Sequence, residues 1–268
     1  IIMIPVFKPK ITNRDINSIK KSLNKNEISG SFGKSINDFE ENFSKYIGTK
    51  YAITTSSGTT ALHLAIDILK LPKKSEIILS SCTNIATALS IVHNGHVPIP
   101  VDSDINTWNI DINKIEKLIT RKTKAIIIVH FLGKPVEFEK ILYLKKKYNL
   151  KIIEDAAEAH GAIYKKKKVG SLGDLSCFSF YANKIITTGE GGMAVFKKKN
   201  NSETASLIKN HGMSSKDFYY HTIAGSNYRM TNPQAAIGLA QLNRINEFYK
   251  SRKKIFDYYN KKFRSFKF

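Results

Sequence analysis

Cysteine is scarce in this chain, since only Cys82 and Cys177 occur among its 268 residues. The two lie too far apart for the CxxC spacing of common metal sites, so we predict no metal centre and expect two buried free thiols in a reduced compartment. Long apolar runs are absent as well, and none approaches the roughly 18 residues that a membrane-spanning helix needs. Because residues 1–5 also lack the basic start of an export signal, we predict a soluble, cytoplasmic protein without a membrane partner.

Acidic residues are also few: 22 of them face 43 lysines and arginines, which gives a formal net charge of +21. A balance of this sign suits an acidic partner, and nucleic acid is the first class to consider. The excess lies in short lysine runs, at 145–147, 165–168 and 197–199, spread among polar residues. No focused basic groove with interleaved aromatics is visible, so we expect no specific nucleic-acid binding, whereas a small phosphate-rich substrate would benefit from the positive field.

Apolar segments that alternate with segments of helical period predict the fold. Buried strands are expected at 51–54, 76–79, 97–101, 125–129, 151–154, 175–180 and 193–196, and helices at 60–69, 85–94, 112–119 and 136–148. Asp111 suits an N-cap, Pro135 suits the first residue of a helix, and a long helix is expected from Gln234 past Lys250 toward Phe268. The alternation predicts an α/β protein in which helices cover both faces of a mostly parallel sheet, a three-layer α/β/α arrangement.

Ligands of open parallel sheets bind at the carboxyl ends of the strands, which makes the loops there candidates for a site. Loop 54–62 carries hydroxyls and Gly58 into the start of a helix, where backbone N–H groups and the helix dipole favour a phosphate, although ordinary capping is the commoner explanation of such a turn. Loop 152–161 delivers Glu154 and Asp155 into a run of small residues with room for a flat ligand. A carboxylate there can pair with the protonated nitrogen of a pyridine ring, but a turn-capping Asp155 beside a solvated Glu158 would show the same pattern.

Segment 177–192 takes Lys184 out of a buried strand into a turn rich in threonine and glycine. In a partly dry pocket, a lysine can use its neutral amine to form a Schiff base with an aldehyde. Gly189, Gly191 and Gly192 permit close approach of a cofactor or a neighbouring subunit. Most lysines of this chain are surface residues, and Lys184 is the candidate for covalent chemistry.

Together these segments resemble the DegT/DnrJ/EryC1/StrS family of sugar aminotransferases, which depend on pyridoxal 5'-phosphate (PLP). The likeness runs from Ile4 to the end of the chain. Its most specific parts are SSGTTAL from Ser56, EDAAEAHG from Glu154, CFSFYANKIITTGEGGM from Cys177, HGM from His211 and NYRMTNPQAAIGLAQL from Asn227. Within the family, TNIATAL from Thr83, VDSDINTWNID from Val101 and YANKIITTGEGG from Tyr181 resemble the GDP-perosamine synthases. The resemblance implies the large domain of fold type I PLP-dependent transferases.

The resemblance implies a role for each matching residue of the cofactor site. Lys184 would hold PLP as a Schiff base and shuttle a proton, and Asp155 would pair with the pyridinium nitrogen. Gly58, Thr59 and Ser179 would bind the cofactor's phosphate.

Four further positions follow from the same resemblance. Glu158, where many relatives have Gln, would lie near the ring oxygen and would need either a proton or a donor partner. Asn227 would reach the phosphate from the neighbouring subunit of a homodimer with a shared active site. Asn84 stands where many relatives stack an aromatic residue on the ring, a contact that Asn cannot supply. His160 either touches the far side of the cofactor or is satisfied by backbone groups.

The implied reaction is ping-pong transfer of an amino group from glutamate to a nucleotide-linked 4-keto-6-deoxy sugar, in the synthesis of surface polysaccharide or glycan precursors. Two alternatives stay open: a PLP-dependent sugar dehydratase, whose relatives carry His where Lys184 stands, and a truncated, non-catalytic cofactor-binding or regulatory protein. The resemblance implies that family members continue into a small C-terminal domain, and we expect most of that domain to lie outside these 268 residues. We therefore predict a PLP-binding large domain over residues 1–245, including the N-terminal segment, and the start of a linking helix over 246–268.

Overall fold

The computed structural model describes residues 5, 7–214, 217 and 219–266, so the outermost residues of both predicted domains lie outside the described part. Within it, nine strands form: β1 (Tyr51–Thr55), β2 (Glu76–Ser80), β3 (Val97–Val101), β4 (Thr123–Val129), β5 (Lys151–Asp155), β6 (Ile163–Tyr164), β7 (Lys167–Lys168), β8 (Leu175–Ser179) and β9 (Gly192–Phe196). Strands β6 and β7 make a separate hairpin, and the other strands build one sheet.

The sheet has the order β1-β9-β8-β5-β4-β2-β3. Neighbours pair in parallel from β8 through β5, β4 and β2 to β3, whereas β9 is antiparallel to both β1 and β8. Strand β1 therefore points the same way as the parallel strands. As a result, the carboxyl ends of β1, β2, β4, β5 and β8 share one edge of the sheet.

The described helices are α1 (Asn13–Asn24), α2 (Lys34–Ile47), α3 (Gly58–Asp67), α4 (Ile85–His93), α5 (Ile112–Ile115), α6 (Phe138–Tyr148), α7 (Lys199–Ile208), α8 (Asn232–Leu242) and α9 (Ile245–Phe263). Single 3₁₀ turns occur at Glu116–Leu118 and Phe131–Gly133. None of the helices in the described part of the chain has the length and apolar composition that crossing a bilayer requires.

Both faces of the sheet are covered, because successive strand residues point to opposite sides. Ile127 of β4 packs in the same cluster as the buried residues of α3, α4 and α7. Its neighbours Ile126 and Ile128 pack instead with α5 and α6, and a third cluster joins α2 and α8 to the β1, β8 and β9 side of that face. The apolar runs along the strands are thus explained by burial on two sides.

The predicted elements are largely confirmed, as is the mostly parallel α/β sheet. All seven predicted strands and the helices predicted at 60–69, 85–94 and 136–148 lie within two residues of their expected bounds, and Asp111 caps α5 by accepting a bond from the N–H of Asn113. Segment 112–119 is helical only as the short α5 followed by a 3₁₀ turn. Helices α1, α2 and α7 and the β6–β7 hairpin were not predicted.

Three predictions were wrong. Pro135 does not begin α6, which begins at Phe138 after the extended N-cap residue Glu137; Val136 lies in the loop before it, where its N–H donates to Nδ1 of His130 (3.2 Å). The long helix expected from Gln234 is broken at Arg244, whose backbone (φ −117°, ψ 11°) is not helical. Cys177 is buried as expected, but Cys82 is only half-buried, because it lies in the loop after β2.

Candidate active site

The shared edge of the sheet carries a cavity of about 450 Å³, where the loops after β1, β2, β4, β5 and β8 converge. Seven of the eight residues assigned to the cofactor from sequence line it: Gly58, Thr59, Asn84, Asp155, Glu158, Ser179 and Lys184. Because the strands are parallel, distant chain segments end at the same place. The cavity therefore brings together the candidate contacts for a phosphate, a ring and an aldehyde.

The anion cradle lies where β1 passes into α3. Ser57 caps the helix, since its Oγ accepts from the N–H of Thr60 (3.1 Å) while Thr60 Oγ1 accepts from the N–H of Ser57 (3.0 Å). The N–H groups of Gly58 and Thr59, at the first two helical positions, have no acceptor within the helix. A Cβ on Gly58 would lie only 2.8 Å from Cβ of Ser179, so a larger residue would narrow the cradle.

Asp155 ends β5 and is 5% exposed. Its Oδ2 accepts from the hydroxyl of Thr87 (2.8 Å), and its Oδ1 accepts from the N–H of Ala157 (3.2 Å). Burial raises the pKa of the Asp155 carboxyl, and the bond from Thr87 opposes this shift. A cationic ring nitrogen placed beside this carboxylate would find a buried anionic partner with few competing waters.

Lys184 faces Glu158 across the cavity, with 3.4 Å between Nζ and Oε1. The other oxygen of Glu158 accepts from the N–H of Leu132 (3.0 Å), whose backbone is left-handed (φ 49°). The carboxylate of Glu158 therefore has two donor partners, Lys184 and the N–H of Leu132. The ammonium of Lys184 is largely shielded, with 15% of its side chain exposed.

Asn84 and Asn227 are placed differently from each other. Asn84 lies in the cavity wall, and its Oδ1 accepts from the N–H of Ala86 (2.9 Å), so this side chain caps α4. Asn227 does not line the cavity of its own chain; it is exposed and forms an isolated bridge with Asn210. Its assignment therefore depends on a second subunit.

The structure places His160 in a buried aromatic cluster beside the cavity. Among the described residues, neither of its ring nitrogens has a hydrogen-bond partner, and the ring packs against Phe178 (5.4 Å between centroids) and Phe180 (5.7 Å). Burial, together with nearby Lys184, lowers the pKa of His160 to about 3, so the ring is neutral. It does not line the cavity.

Sequence reasoning missed His130 and Thr87, which contact the site residues directly. His130 directly follows β4 and lines the cavity. Because ligands bind at the carboxyl ends of parallel strands, this position in the sequence could have predicted it as a site residue. Its Nδ1 accepts from Val136, so its Nε2 carries the proton that bonds Glu154 Oε2 (3.1 Å). Thr87 gave no such indication, because it lies inside the first turns of α4.

Glu154 and Asp155 are adjacent in sequence, but their side chains lie on opposite faces of the sheet, because successive strand residues point to opposite sides. The fully buried carboxylate of Glu154 accepts from the N–H groups of Gly170 (2.8 Å), Leu172 (2.7 Å) and Gly173 (2.6 Å). It braces the loop before β8 and does not line the cavity.

Comparison with known proteins agrees with this arrangement. The sequence profile of the DegT/DnrJ/EryC1/StrS aminotransferase family matches residues 9–268. The chain belongs to this family. Its aminotransferases depend on PLP, which explains why a phosphate cradle, a buried carboxylate and a shielded lysine occur in one cavity.

Individual family members support the same conclusion. The GDP-perosamine synthase of Escherichia coli O157:H7 is 44% identical over 262 residues, covering 98% of this chain and 72% of that protein. The GDP-perosamine synthase of Caulobacter vibrioides is 44% identical over 259 residues, covering 97% of this chain and 70% of that protein. Among solved structures, the Helicobacter pylori aminotransferase PseC, involved in the biosynthesis of pseudoaminic acid, superimposes with a TM-score of 0.93 at 33% identity, over 98% of this chain and 71% of that one.

The residues present fit the family's cofactor. The N–H groups of Gly58 and Thr59 suit its phosphate, the Asp155 carboxylate suits its protonated ring nitrogen, and the amine of Lys184 suits its aldehyde. Asn84 presents no aromatic face to the ring, so the stacking that many family members use has no counterpart at this position.

Proposed function

We propose that this aminotransferase transfers an amino group from glutamate to the keto group of a nucleotide-linked 4-keto-6-deoxy sugar, in the manner of a GDP-perosamine synthase. The observation that carries the proposal is the cavity in which Lys184, Asp155 and the Gly58–Thr59 cradle meet. The 44% identity to two GDP-perosamine synthases supports the choice of substrate. The positive charge of the chain suits a substrate that carries a diphosphate.

Each side chain of the site has a distinct proposed task. When bound, PLP supplies a ring that withdraws electrons from the substrate carbon. Gly58, Thr59 and Ser179 hold its phosphate, and Asp155 keeps its ring nitrogen protonated. Lys184 anchors the aldehyde and moves a proton at its Nζ, on the side of the cavity where Glu158 lies 3.4 Å away.

Glu158 has a proposed orienting task. Its two oxygens accept from Lys184 and from the backbone of Leu132, so the carboxylate is held from two sides. While Lys184 is engaged with the cofactor, the bond from Leu132 keeps the carboxylate at the cavity wall near the ring oxygen.

Spectroscopy of the purified protein tests the chemistry. We expect added PLP to give the visible absorption band of lysine-bound cofactor, glutamate to bleach it, and Lys184→Ala to abolish it. Lys122→Ala, at an exposed lysine next to the start of β4, serves as the matched control and should leave the band intact. A wild-type protein without this band would contradict the proposed cofactor site.

A panel of nucleotide-linked keto sugars with ¹⁵N-labelled glutamate tests the substrate. Transfer of the label to a GDP-linked 4-keto-6-deoxy sugar is the expected result. Loss of a sugar hydroxyl without nitrogen uptake would instead indicate a dehydratase, which the amine at Lys184 disfavours. A normal cofactor band without transfer to any sugar would indicate a non-catalytic cofactor-binding protein.

We further propose that a second copy of the chain completes the site. Helix α4, which carries Asn84 at the cavity, presents an exposed apolar stripe: Ile85 is 67% exposed, Leu89 38% and Val92 50%. A stripe of this kind beside an active site favours a subunit interface. A homodimer formed there would also allow Asn227 of one copy to approach the cavity of the other.

Sedimentation measures the subunit arrangement directly. We expect a dimer for the wild type and a monomer for the double variant Ile85→Lys, Leu89→Lys, since two buried charges would oppose association. The variant Ile163→Lys, which places a charge at a 61% exposed residue of the β6–β7 hairpin, should remain dimeric. A wild-type monomer would contradict the shared site.

The domain division is likewise proposed here. Residues 1–245 would form the cofactor-binding large domain, and 246–268 would begin a helix that links it to the small domain of longer family members. Ile245 and Phe248 of α9 are buried, whereas Ile255, Phe256 and Tyr259 are exposed. Limited proteolysis within the exposed part of α9 should leave a fragment that still binds PLP, and loss of binding after this cut would contradict the division.

A further inference from the structure

Two threonines outside the predicted site form a hydrogen-bonded chain that ends on Asp155. The hydroxyl of Thr87 lies 2.8 Å from Asp155 Oδ2, and the hydroxyl of Thr83 lies 2.8 Å from that of Thr87. Thr87 is fully buried, whereas Thr83 is half-buried and lines the cavity. The two hydrogen bonds therefore connect the cavity wall to the carboxylate of Asp155 through the buried hydroxyl of Thr87.

The number of hydroxyl protons decides which group donates in each of these two hydrogen bonds. An ionised carboxylate only accepts, so Thr87 must use its single hydroxyl proton for Asp155. The Oγ1 of Thr87 is then left as an acceptor, and Thr83 is the donor to it. Both hydroxyl dipoles thus point toward Asp155 and stabilise its negative charge.

Local structure holds the two hydroxyls in place. Asn84 caps α4 with its own side chain, which sets Thr83 just before the helix and Thr87 one turn later. The chain turns at this cap, and the hydroxyl of Thr83 comes within 2.8 Å of that of Thr87. The hydroxyl of Ser90 donates to the backbone carbonyl of Thr87 (2.8 Å) and adds a side-chain hydrogen bond to this turn of α4.

The electrostatic surroundings of Asp155 make such a donor consequential. Burial raises the pKa of the carboxyl, and the bonds from Thr87 and Ala157 together with the nearby Lys184 and His130 lower it. Cys177 on β8 also faces this region; burial raises the pKa of its thiol, and the charges of Asp155 and of Glu154, on the opposite face of the sheet, raise it further. Removal of one donor therefore shifts the balance toward the protonated acid.

We propose that Thr87 is a positioning residue, oriented by Thr83, which holds Asp155 ionised and aligned for the ring nitrogen of PLP. This inference rests on the proposed function. Thr87 does not line the cavity; its hydroxyl bonds Asp155 and Thr83, so it acts on the site through Asp155. The bond from Thr87 occupies Oδ2 and the N–H of Ala157 binds Oδ1, so the rotation of the carboxylate is fixed before any cofactor enters.

The variant Thr87→Val, which keeps the shape but removes the hydroxyl, is the decisive test. We expect its PLP dissociation constant to rise roughly 10- to 100-fold, as for loss of a hydrogen bond to a charged group. We also expect the pH below which PLP binding is lost to move upward by about 1–2 units, since protonation of Asp155 then competes at higher pH. The visible spectrum, recorded from pH 5 to 9, reports both quantities.

Three further variants separate positioning from mere packing. Thr87→Ser restores the hydroxyl and should bind PLP within about threefold of the wild type. Thr83→Val should shift the pH profile in the same direction by a smaller amount, because it removes only the second donor. Thr123→Val deletes a buried threonine hydroxyl at the amino end of β4, far from the cavity, and should leave the profile unchanged.

The outcomes distinguish this inference from the proposed function. A wild-type protein that shows the cofactor band, together with a Thr87→Val variant of unchanged affinity and pH profile, would overturn the role of Thr87 alone. Failure of Thr87→Ser to restore binding would also overturn it. Absence of the band in the wild type would instead refute the cofactor site. If Thr87→Val does not fold, the predicted shift in Thr83→Val decides the matter.

Discussion

His160 should make the cofactor-free protein lose stability as the pH falls. Its ring is buried, packs on Phe178 and Phe180, and has no hydrogen-bond partner among the described residues. Its pKa is lowered to about 3, whereas an unfolded histidine titrates near 6.5. The folded protein therefore keeps the ring neutral, and the unfolded chain binds a proton below pH 6.5. The stabilisation is fully present above pH 6.5 and is lost progressively as the pH falls toward 3.

The magnitude follows from the linkage relation. Between pH 7 and pH 5 the unfolded histidine goes from about one quarter to almost fully protonated, while the folded one stays neutral, and this difference lowers the free energy of unfolding by about 2 kcal/mol. This figure hardly changes as long as the folded pKa stays below about 4. The replacement His160→Leu removes the titrating ring but keeps an apolar contact with the two phenylalanines, so its stability should lack this component.

Urea unfolding of the cofactor-free protein at pH 7 and pH 5 measures the effect. We expect the wild type to lose about 2 kcal/mol more than His160→Leu between these two pH values. The control Phe178→Leu perturbs the same cluster without removing a titrating group, so its loss between the two pH values should equal that of the wild type. Equal losses for the wild type and His160→Leu would refute the conclusion that the folded protein holds this ring neutral.

Two further predictions concern packing and charge away from the cavity. In thermal unfolding, Gly161→Ala should destabilise the protein by about 1–3 kcal/mol more than Gly95→Ala. Both glycines have a left-handed backbone (φ 77° and 73°), but only at Gly161 would the new Cβ collide with the hydroxyl of Tyr249. Equal losses of stability in the two variants would show that Tyr249 moves aside. Arg244→Met should lower the free energy of unfolding by about 3–5 kcal/mol, because the buried Asp15 loses its ion-pair partner. Adding Asp15→Leu should restore most of this stability. No recovery in the double variant would show that Arg244 acts through packing.

The strands were predictable because each is short, apolar and bounded by turn residues. Ile126, Ile127 and Ile128 are all fully buried, which is the situation in which a continuous apolar run identifies a strand of a parallel sheet. Helices α1 and α2 were missed although their apolar residues recur with a helical period, because both precede the first strand and lie outside the alternation of strands and helices. In α2 the apolar residues Ile36, Phe39, Phe43 and Ile47 recur at helical spacing and are all buried.

The break between α8 and α9 shows a different limit of local information. The apolar period continues through this region, with Leu242, Ile245 and Phe248 all buried. Helix α8 ends because Arg244 leaves the helical conformation and pairs with Asp15 of α1 (2.7 Å). The partner lies 229 positions away in sequence, so no local window contains the reason for the break.

Some residues of the candidate site were predictable from local sequence, and others depend on contacts between remote segments. Gly58, Asp155, Ser179 and Lys184 were predictable, because they stand in motifs at or just after strand ends, and parallel strands bring such ends to one edge. Thr87 was not predictable, because its importance comes from a contact with Asp155 across 68 positions.

The order of residues alone dictates which backbone segments can bury themselves as strands or helices, since periodicity, glycine and capping groups act over a few positions. It also carries the chemical groups that a PLP enzyme of this family needs. The folded arrangement of the sheet and α4 decides which donor meets which oxygen of Asp155, why Glu154 faces away from the cavity, and why His160 stays neutral. These properties depend on burial and on distances between remote segments, and both come into existence only when the chain is packed.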